Sequence, residues 1–427
     1  MLDSIASSLI TWFNSFQNHP DLKPLELLPW ENSTVFQLPP QRSDRQSKII
    51  VKAYLQNLKS QGIDPERQGI WVQSDWVTPI DNRGKTPLPA ASLTKIATTL
   101  ASLNEFGAKH QFITNIYVTG EITAGIVTGD LIVEGSGDPF FVWEEAIAIA
   151  NTLNELGISE VRGNLLVTDK FYMNYQNRAL EAGELLKQGL NRQLWQPQVK
   201  QQYLQMPVGT PQPEVAIAGE VKAISKVPYN ARLLVSHQSL PLAEILRQMN
   251  IYSNNRMAQT LADLLGGAAV VAQTSAEIAG FDPTEIKLVN GSGLSKKNRI
   301  SPHAVCQMLI AIDRLLQKDS FSAADLFPTA GRDFVGTVRG RNLPTGTTIK
   351  TGTLNDVSAL AGVIPTSNRG NVYFSIINYG RQIDDFRQQQ DILLNELVQT
   401  WQLMPNFNLT RDKWYLGDPR RNFIKMN

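Results

Sequence analysis

The spacing of apolar residues changes twice along this chain, and that change limits the possible folds more than any other feature. Residues 92–107, SLTKIATTLASLNEFG, carry helical periodicity, as do PLAEILRQMN and RMAQTLADLLGG around 241–267. Between them, QFITNIYVTG and GIVTGDLIVEG alternate apolar and polar residues about a Gly-containing turn, the pattern of a hairpin. A helix over 143–157 and a strand over 163–169 follow, and residues 174–205 are Gln- and Asn-rich with no clear period. A chain that leaves a helical region, builds strands and then resumes helices reads as one domain split by an insertion.

The flanks complete the outline. Residues 48–59 read as a helix, and GIWVQSD and WVTPI as two short strands. Downstream, a helix over 303–316 precedes three strands, TTIKTG, VSALAGVI and NVYFSIINYG, the set of an antiparallel sheet. An amphipathic helix over 384–402 closes the pattern. The expected organisation is an N-terminal helix and Pro-rich linker (1–47), a split main domain (48–110 and 236–402), an inserted domain (111–235) and a C-terminal tail (403–427). The class is mixed α/β (α+β): an antiparallel sheet flanked by helices, with a helical subdomain and the insertion.

Composition excludes several functions. Lys and Arg number 40 against 39 Asp and Glu, a net charge of +1, so no basic footprint for nucleic acid exists. No apolar run approaches the ~18 residues of a membrane span. Cys306 is the single cysteine, so no intrachain disulfide can form. His19, His110, His237 and His303 lie far apart with no metal-ligand spacing, and no metal or organic cofactor is expected. Residues 1–17 have helical spacing and no basic start, so they do not read as a clear signal peptide.

Three short motifs carry the chemistry. Ser92-Leu93-Thr94-Lys95 opens a helix, where positions three apart share a face, so a hydroxyl meets an amine. A neutral lysine can take the serine proton; desolvation and a nearby cation both favour that state. Ser253-Asn254-Asn255 opens a later helix. Its hydroxyl can relay a proton and its amide can hold a substrate carbonyl or N–H, although helix capping is the competing use. Lys350-Thr351-Gly352-Thr353 ends a strand, where a cation beside two hydroxyls suits a carboxylate. The glycine lets a ligand backbone approach the strand edge.

The order S-x-x-K, S-x-N, K-T-G resembles the signature of penicillin-binding proteins and serine β-lactamases. The context narrows this. LIVEGSGDPFF (131–141), GISEVRGNLLV (157–167), SLPLAEILRQMNIYSNNRMAQTL (239–261), VNGSGLSKKNRISP (289–302), FPTAGRDFVGTVRGR (327–341) and IKTGTLNDVSALAGVI (349–364) resemble the low-molecular-mass class C penicillin-binding proteins, the D-alanyl-D-alanine carboxypeptidase/endopeptidases. Coverage runs from about residue 48 to about 400. Asn290 and Lys296 depart from the Asp and Arg usual in that loop, which removes a carboxylate–guanidinium pair.

The resemblance implies a penicillin-binding, β-lactamase-like fold and a role for each matching position. Ser92 is the acylated nucleophile, Lys95 its base, and Ser253 the relay to the leaving D-alanine. Asn255 holds a substrate amide. Lys350, Thr351 and Thr353 bind the terminal carboxylate, with Gly352 between them. The N–H groups of Ser92 and Thr353 form an oxyanion hole, and the Lys350 charge helps keep Lys95 neutral. Ser292 and Asn298 shape a neighbouring loop. The implied partners are peptidoglycan stem peptides or cross-links, with β-lactams as covalent inhibitors, in a periplasmic or extracytoplasmic setting. A serine β-lactamase is the alternative, but the nearest E-x-x-L-N look-alike, Asp391 to Asn395, lies after the K-T-G. A catalytically idle penicillin-binding fold is the other. A Ser/His/Asp hydrolase finds no G-x-S-x-G.

Overall fold

In the computed structural model, residues 44–74, 77–404 and 414–425 are described. The expected N-terminal helix and most of the linker lie outside them, as does the middle of the tail.

Two of the four sheets among the described residues carry the main architecture, each against a core of its own. The first is five-stranded and antiparallel throughout, in the order Thr348–Leu354, Val357–Thr366, Gly370–Tyr379, Gln68–Ser74 and Val77–Asn82. Its central strands are buried on both faces, their successive side chains pointing to opposite sides, whereas the edge strand Val77–Asn82 is mostly half-buried. Leu360, Ile364, Phe374, Ile376, Ile70 and Val72 face helices Arg45–Ser60 and Ile383–Trp401. Ala359, Ala361, Val363, Ile377 and Trp71 face helices Thr94–Phe106 and Pro302–Leu316. Such strands read as continuous apolar runs, as VSALAGVI does.

Helix Thr94–Phe106 is the axis of the helical region. Its residues Thr94 to Leu103 are all buried, and helices Leu242–Ile251, Asn255–Leu264, Ala268–Ala279 and Pro302–Leu316 surround it. The helix is buried on every side although Thr94, Lys95, Thr98, Thr99 and Ser102 are polar. Ala268–Ala279 was not anticipated, because its first half, AAVVA, lacks a polar face.

The second sheet runs in the order Val221–Ile224, Leu165–Thr168, Leu131–Gly135, Ile113–Val118, Arg232–Gln238 and Asn422–Ile424. It encloses a core of its own, including Ile116, Val133, Ile149, Val167, Leu186 and Val235. Ile113–Val118 and Leu131–Gly135 pair antiparallel, as the alternation implies. They are not a simple hairpin. GIVTGDLIVEG breaks at Thr128-Gly129-Asp130, and Ile126–Val127 pairs with Ile122–Thr123 and Glu160–Val161 in a separate small sheet. Gly129 permits the break: a Cβ there would lie 2.3 Å from the Thr119 carbonyl oxygen. Helices Trp143–Glu155 and Ala179–Gly189 are crossovers between parallel strands. The second lies in the Gln-rich stretch that showed no period.

The far C-terminal segment is structural. Asn422–Ile424 adds an edge strand, with His237 opposite Asn422 and Val235 opposite Ile424. Arg421 is buried and donates to both Glu145 carboxylate oxygens, at 2.6 and 2.7 Å, and to the Gln238 carbonyl at 2.8 Å. His237 beside it is held neutral: burial, then the Arg421 charge, pushes its pKa down to about 3. Arg421 therefore carries the cationic half of this buried pair. Removing one partner of such a pair costs about 3–5 kcal/mol. Arg421→Ala is expected to lower unfolding free energy by about that much in denaturant titration, whereas Arg420→Ala, whose guanidinium is solvent-exposed, is expected to change it far less.

Candidate active site

Ser92 stands in a 3-10 turn, Ala91–Leu93, that runs directly into helix Thr94–Phe106. Ala91 holds a left-handed φ of 48°, uncommon for a residue with a Cβ. One turn on, Lys95 is wholly buried, 0% exposed. Its ammonium nitrogen lies 3.1 Å from Ser92 Oγ, 2.8 Å from Asn255 Oδ1 and 2.6 Å from the Ser292 carbonyl oxygen. Those partners are a hydroxyl, an amide oxygen and a backbone carbonyl, with no carboxylate among them.

The S-x-N segment separates its two possible uses onto different residues. Asn254 does the capping: its Oδ1 accepts from the Arg256 and Met257 N–H groups. Asn255 is thereby free to reach Lys95. Ser253 sits at φ 52°, left-handed again, and its Oγ lies 3.1 Å from Lys350 Nζ. Non-glycine residues in this region cost roughly 1–3 kcal/mol each and concentrate at functional sites.

Lys350 is 1% exposed and donates to Ser253 Oγ and to the Thr351 carbonyl. Side chains alternate along its strand, so Thr351 and Thr353 share the other side. Gly352 abuts the turn that carries Ser92: a Cβ at Gly352 would lie 3.0 Å from Ser92 N and 3.1 Å from the Ala90 oxygen. The strand therefore abuts the backbone of Ser92.

The loop 289–298 closes the opposite side. A Cβ at Gly293 would overlap the Ala91 oxygen at 1.9 Å, so the loop packs backbone to backbone on the same turn. Asn290 Oδ1 accepts from Ser292 Oγ, Gly293 N–H and Asn298 Nδ2, so no carboxylate is needed there. Lys296 pairs outside the loop, with Asp356 at 2.6 Å. The loop is thus held by Asn290 within it and by the Lys296–Asp356 pair outside it. Sequence reading gave Ser292 a shaping role; its carbonyl is in fact one of the three groups on Lys95, a backbone contact that leaves no trace in residue type.

Burial sets the electrostatics. It brings the Lys95 pKa down to about 7. Lys350 is pushed well below the usual lysine range, first by burial and then by the Lys95 charge. Burial is thus the cause at Lys95, and at Lys350 it acts together with the neighbouring Lys95 charge. Asp391, the look-alike of a deacylating carboxylate, is committed elsewhere. It accepts from Arg341 Nε at 2.9 Å, from Arg341 Nη2 at 2.6 Å and from Asn342 N–H at 2.9 Å. A carboxylate held that way is not a free base for water.

The family model for D-Ala-D-Ala carboxypeptidase 3 (S13) matches residues 56–181 and 211–398, well over half the chain. The chain belongs to that family. Among curated S13-like relatives, carboxypeptidase DacB of Mycolicibacterium smegmatis is 30% identical over 184 residues, 38% of this chain and 40% of the relative. The D-alanyl-D-alanine carboxypeptidase of Actinomadura sp. (strain R39) is 32% identical over 186 residues, 39% of this chain and 34% of the relative. The matches thus span well under half the length of these relatives.

Solved structures show the same penicillin-binding fold. Penicillin G-acylated Bd3459, a predatory endopeptidase from Bdellovibrio bacteriovorus in complex with immunity protein Bd3460, superposes with TM-score 0.71 at 20% identity, over 84% of this chain and 99% of that one. Penicillin binding protein 4 (dacB) from Haemophilus influenzae gives 0.63 at 20% identity, over 80% and 99%.

The contact between Gly352 and the turn yields a test for this S13 chain. In Gly352→Ala the methyl presses on Ser92 N and must displace strand or turn by a few tenths of an ångström. Small misplacements of reacting groups are costly. The acylation rate by a β-lactam is expected to fall about tenfold or more, with the unfolding transition retained.

Proposed function

We propose that this protein is a serine-type D-Ala-D-Ala carboxypeptidase, with endopeptidase action on D-alanyl cross-links, working through an acyl-enzyme on Ser92. The observation that carries the reading is the buried Lys95 amine, 3.1 Å from Ser92 Oγ and with a pKa near 7. A lysine in that state is a proton acceptor at neutral pH.

The proposed steps follow the geometry. Ser92 Oγ attacks the carbonyl carbon of the penultimate D-alanine, and Lys95 takes its proton. The N–H groups of Ser92 and Thr353 stabilise the oxyanion. Gly352, by letting strand and turn meet, supports that pairing. Asn255 holds a substrate amide. Ser253, 3.1 Å from Lys350, relays the proton that Lys95 took to the departing amine, gaining one as it gives one, so that Lys95 is neutral again as the C–N bond breaks. Thr351, Thr353 and Lys350 receive the terminal carboxylate. An arriving carboxylate also restores the charge that burial and Lys95 suppress on Lys350. Water then hydrolyses the ester and frees Ser92. A β-lactam would acylate the same oxygen and leave slowly, because Asp391 is not available to activate water.

The reading extends to organisation and setting. Residues 48–110 and 236–402 act as the catalytic domain, and 111–235, with its separate core, as an insertion. The substrate is peptidoglycan, which supports an extracytoplasmic location. No helix among the described residues is long and apolar enough to cross a membrane.

Two measurements check this. Labelling with a fluorescent penicillin should give a stable adduct on the wild type and none on Ser92→Ala, read by denaturing gel and intact mass. Rapid penicillin turnover without a lasting adduct would make the protein a β-lactamase; no reaction would make it an idle relative. The acylation rate should also depend on pH through Lys95. The base must be neutral, so the rate should plateau above about 7 and fall towards tenfold per pH unit on the acid side. A pH-independent rate from weakly acid to weakly alkaline solution would remove Lys95 as the base.

A further inference from the structure

Residues 328–341 join the strand that carries Lys350 to the helix end that carries Ser253. The start of this segment lies along the strand. The Ile349 N–H, one residue before Lys350, donates to the Pro328 carbonyl at 2.9 Å, and the Ala330 N–H donates to the Thr347 carbonyl at 2.9 Å. The middle of the segment rests on the end of helix Leu242–Ile251, two residues before Ser253. Gly336 stands there with a left-handed φ of 68°. A Cβ on it would lie 2.2 Å from the Ile251 carbonyl oxygen and 2.8 Å from the Ile251 side chain. Thr337 Oγ1 is 3.4 Å from the same carbonyl, which belongs to the last turn of the helix and has no partner within it.

The segment is clamped on either side of Gly336. Before it, Asp333 pairs with Arg247 of the same helix and accepts from the Thr329 N–H at 2.8 Å. After it, Arg341 pairs with Asp391 at 2.6 Å, and Asn395 Nδ2 donates to the Asn342 carbonyl at 2.8 Å. Asp391 and Asn395, the two ends of the E-x-x-L-N look-alike, thus anchor this segment. Between the clamps Val338 is buried in the core shared by the sheet and the last helix. A close-packed segment of this kind transmits displacement rather than absorbing it. Ser253 itself is held at φ 52°, a conformation that persists only where the surroundings impose it. Its Oγ lies 3.1 Å from Lys350 Nζ, and residues 328–341 touch both sides of that gap.

We propose that Gly336 is a positioning residue: by letting this segment rest on the Ile251 carbonyl, it sets Ser253 at relay distance from Lys350. The proposal rests on the serine-peptidase reading and concerns one step of it, protonation of the leaving amine. An amine must gain a proton as its C–N bond breaks. A thiolate leaves with the electron pair of its C–S bond and needs no proton. Displacement of Ser253 therefore slows amide cleavage and spares thioester cleavage, whereas a general loosening of the site slows both.

The test uses the full chain and two substrates that share an acyl part and each end in a carboxylate. One is a peptide ending in D-Ala-D-Ala; the other is its thioester analogue, with thioglycolate as the leaving group. In Gly336→Ala the ratio of kcat/KM for the amide over that for the thioester should fall about tenfold or more. Gly340→Ala is the control. Gly340 is also left-handed, at φ 79°, but a Cβ on it meets nothing within 4 Å, so this variant carries the backbone strain without the contact and should keep the wild-type ratio. Equal losses on both substrates in Gly336→Ala, or the same fall in ratio in Gly340→Ala, would overturn the proposal. If Gly336→Ala shows no cooperative unfolding transition, Asp333→Asn, which loosens the clamp to Arg247, takes its place: a lowered ratio supports the proposal and an unchanged one overturns it. Penicillin labelling of each preparation separates the two levels. A proposal overturned with labelling intact leaves the peptidase reading standing, whereas a wild type that neither labels nor cleaves would overturn both.

Discussion

Two buried lysine side chains bond to no carboxylate among the described residues, and the arrangement of the site depends on keeping them there. An ammonium group taken from water without a counter-ion is strongly disfavoured. The protein answers with neutral partners: Asn255 Oδ1, Ser92 Oγ and the Ser292 carbonyl around Lys95, and Ser253 Oγ and the Thr351 carbonyl around Lys350. These satisfy hydrogen bonds without stabilising a charge as an aspartate would. The result is an amine poised to change protonation near neutrality. An acidic residue at either position would turn the base into a structural cation.

Holding this pair requires close backbone packing around the turn that carries Ser92. The K-T-G strand reaches the turn at Gly352, and the 289–298 loop reaches it at Gly293. Ala91 and Ser253 take left-handed conformations on either side. The strain is held by the surroundings: helix Thr94–Phe106 is buried among four others, and the strand belongs to a sheet covered on both faces. A rigid frame of this kind keeps catalytic groups within tenths of an ångström.

Much of this was legible from residue order. The helix carrying Lys95, the strands of the antiparallel sheet and the order of the three motifs follow from local periodicity and residue type. The failures share a cause. Ala268–Ala279 and the break in GIVTGDLIVEG depend on what packs against them. So does the strand Asn422–Ile424, which becomes structural only because Arg421 finds Glu145 across the fold. Arg387 on the last helix gave no signal of its nearness to Thr353, since the two are far apart along the chain and an arginine on an amphipathic helix is ordinary.

By itself, then, the sequence determined which reactive groups are present, which elements carry them and which family they match, because hydroxyl, amine and amide chemistry and helical spacing are local properties. The tertiary structure alone decided that burial lowers the Lys95 pKa, that Gly352 abuts the turn carrying Ser92 and that Asp391 is bound to Arg341. Each of these depends on desolvation or on contact between distant segments, and such quantities exist only once the chain has closed around them.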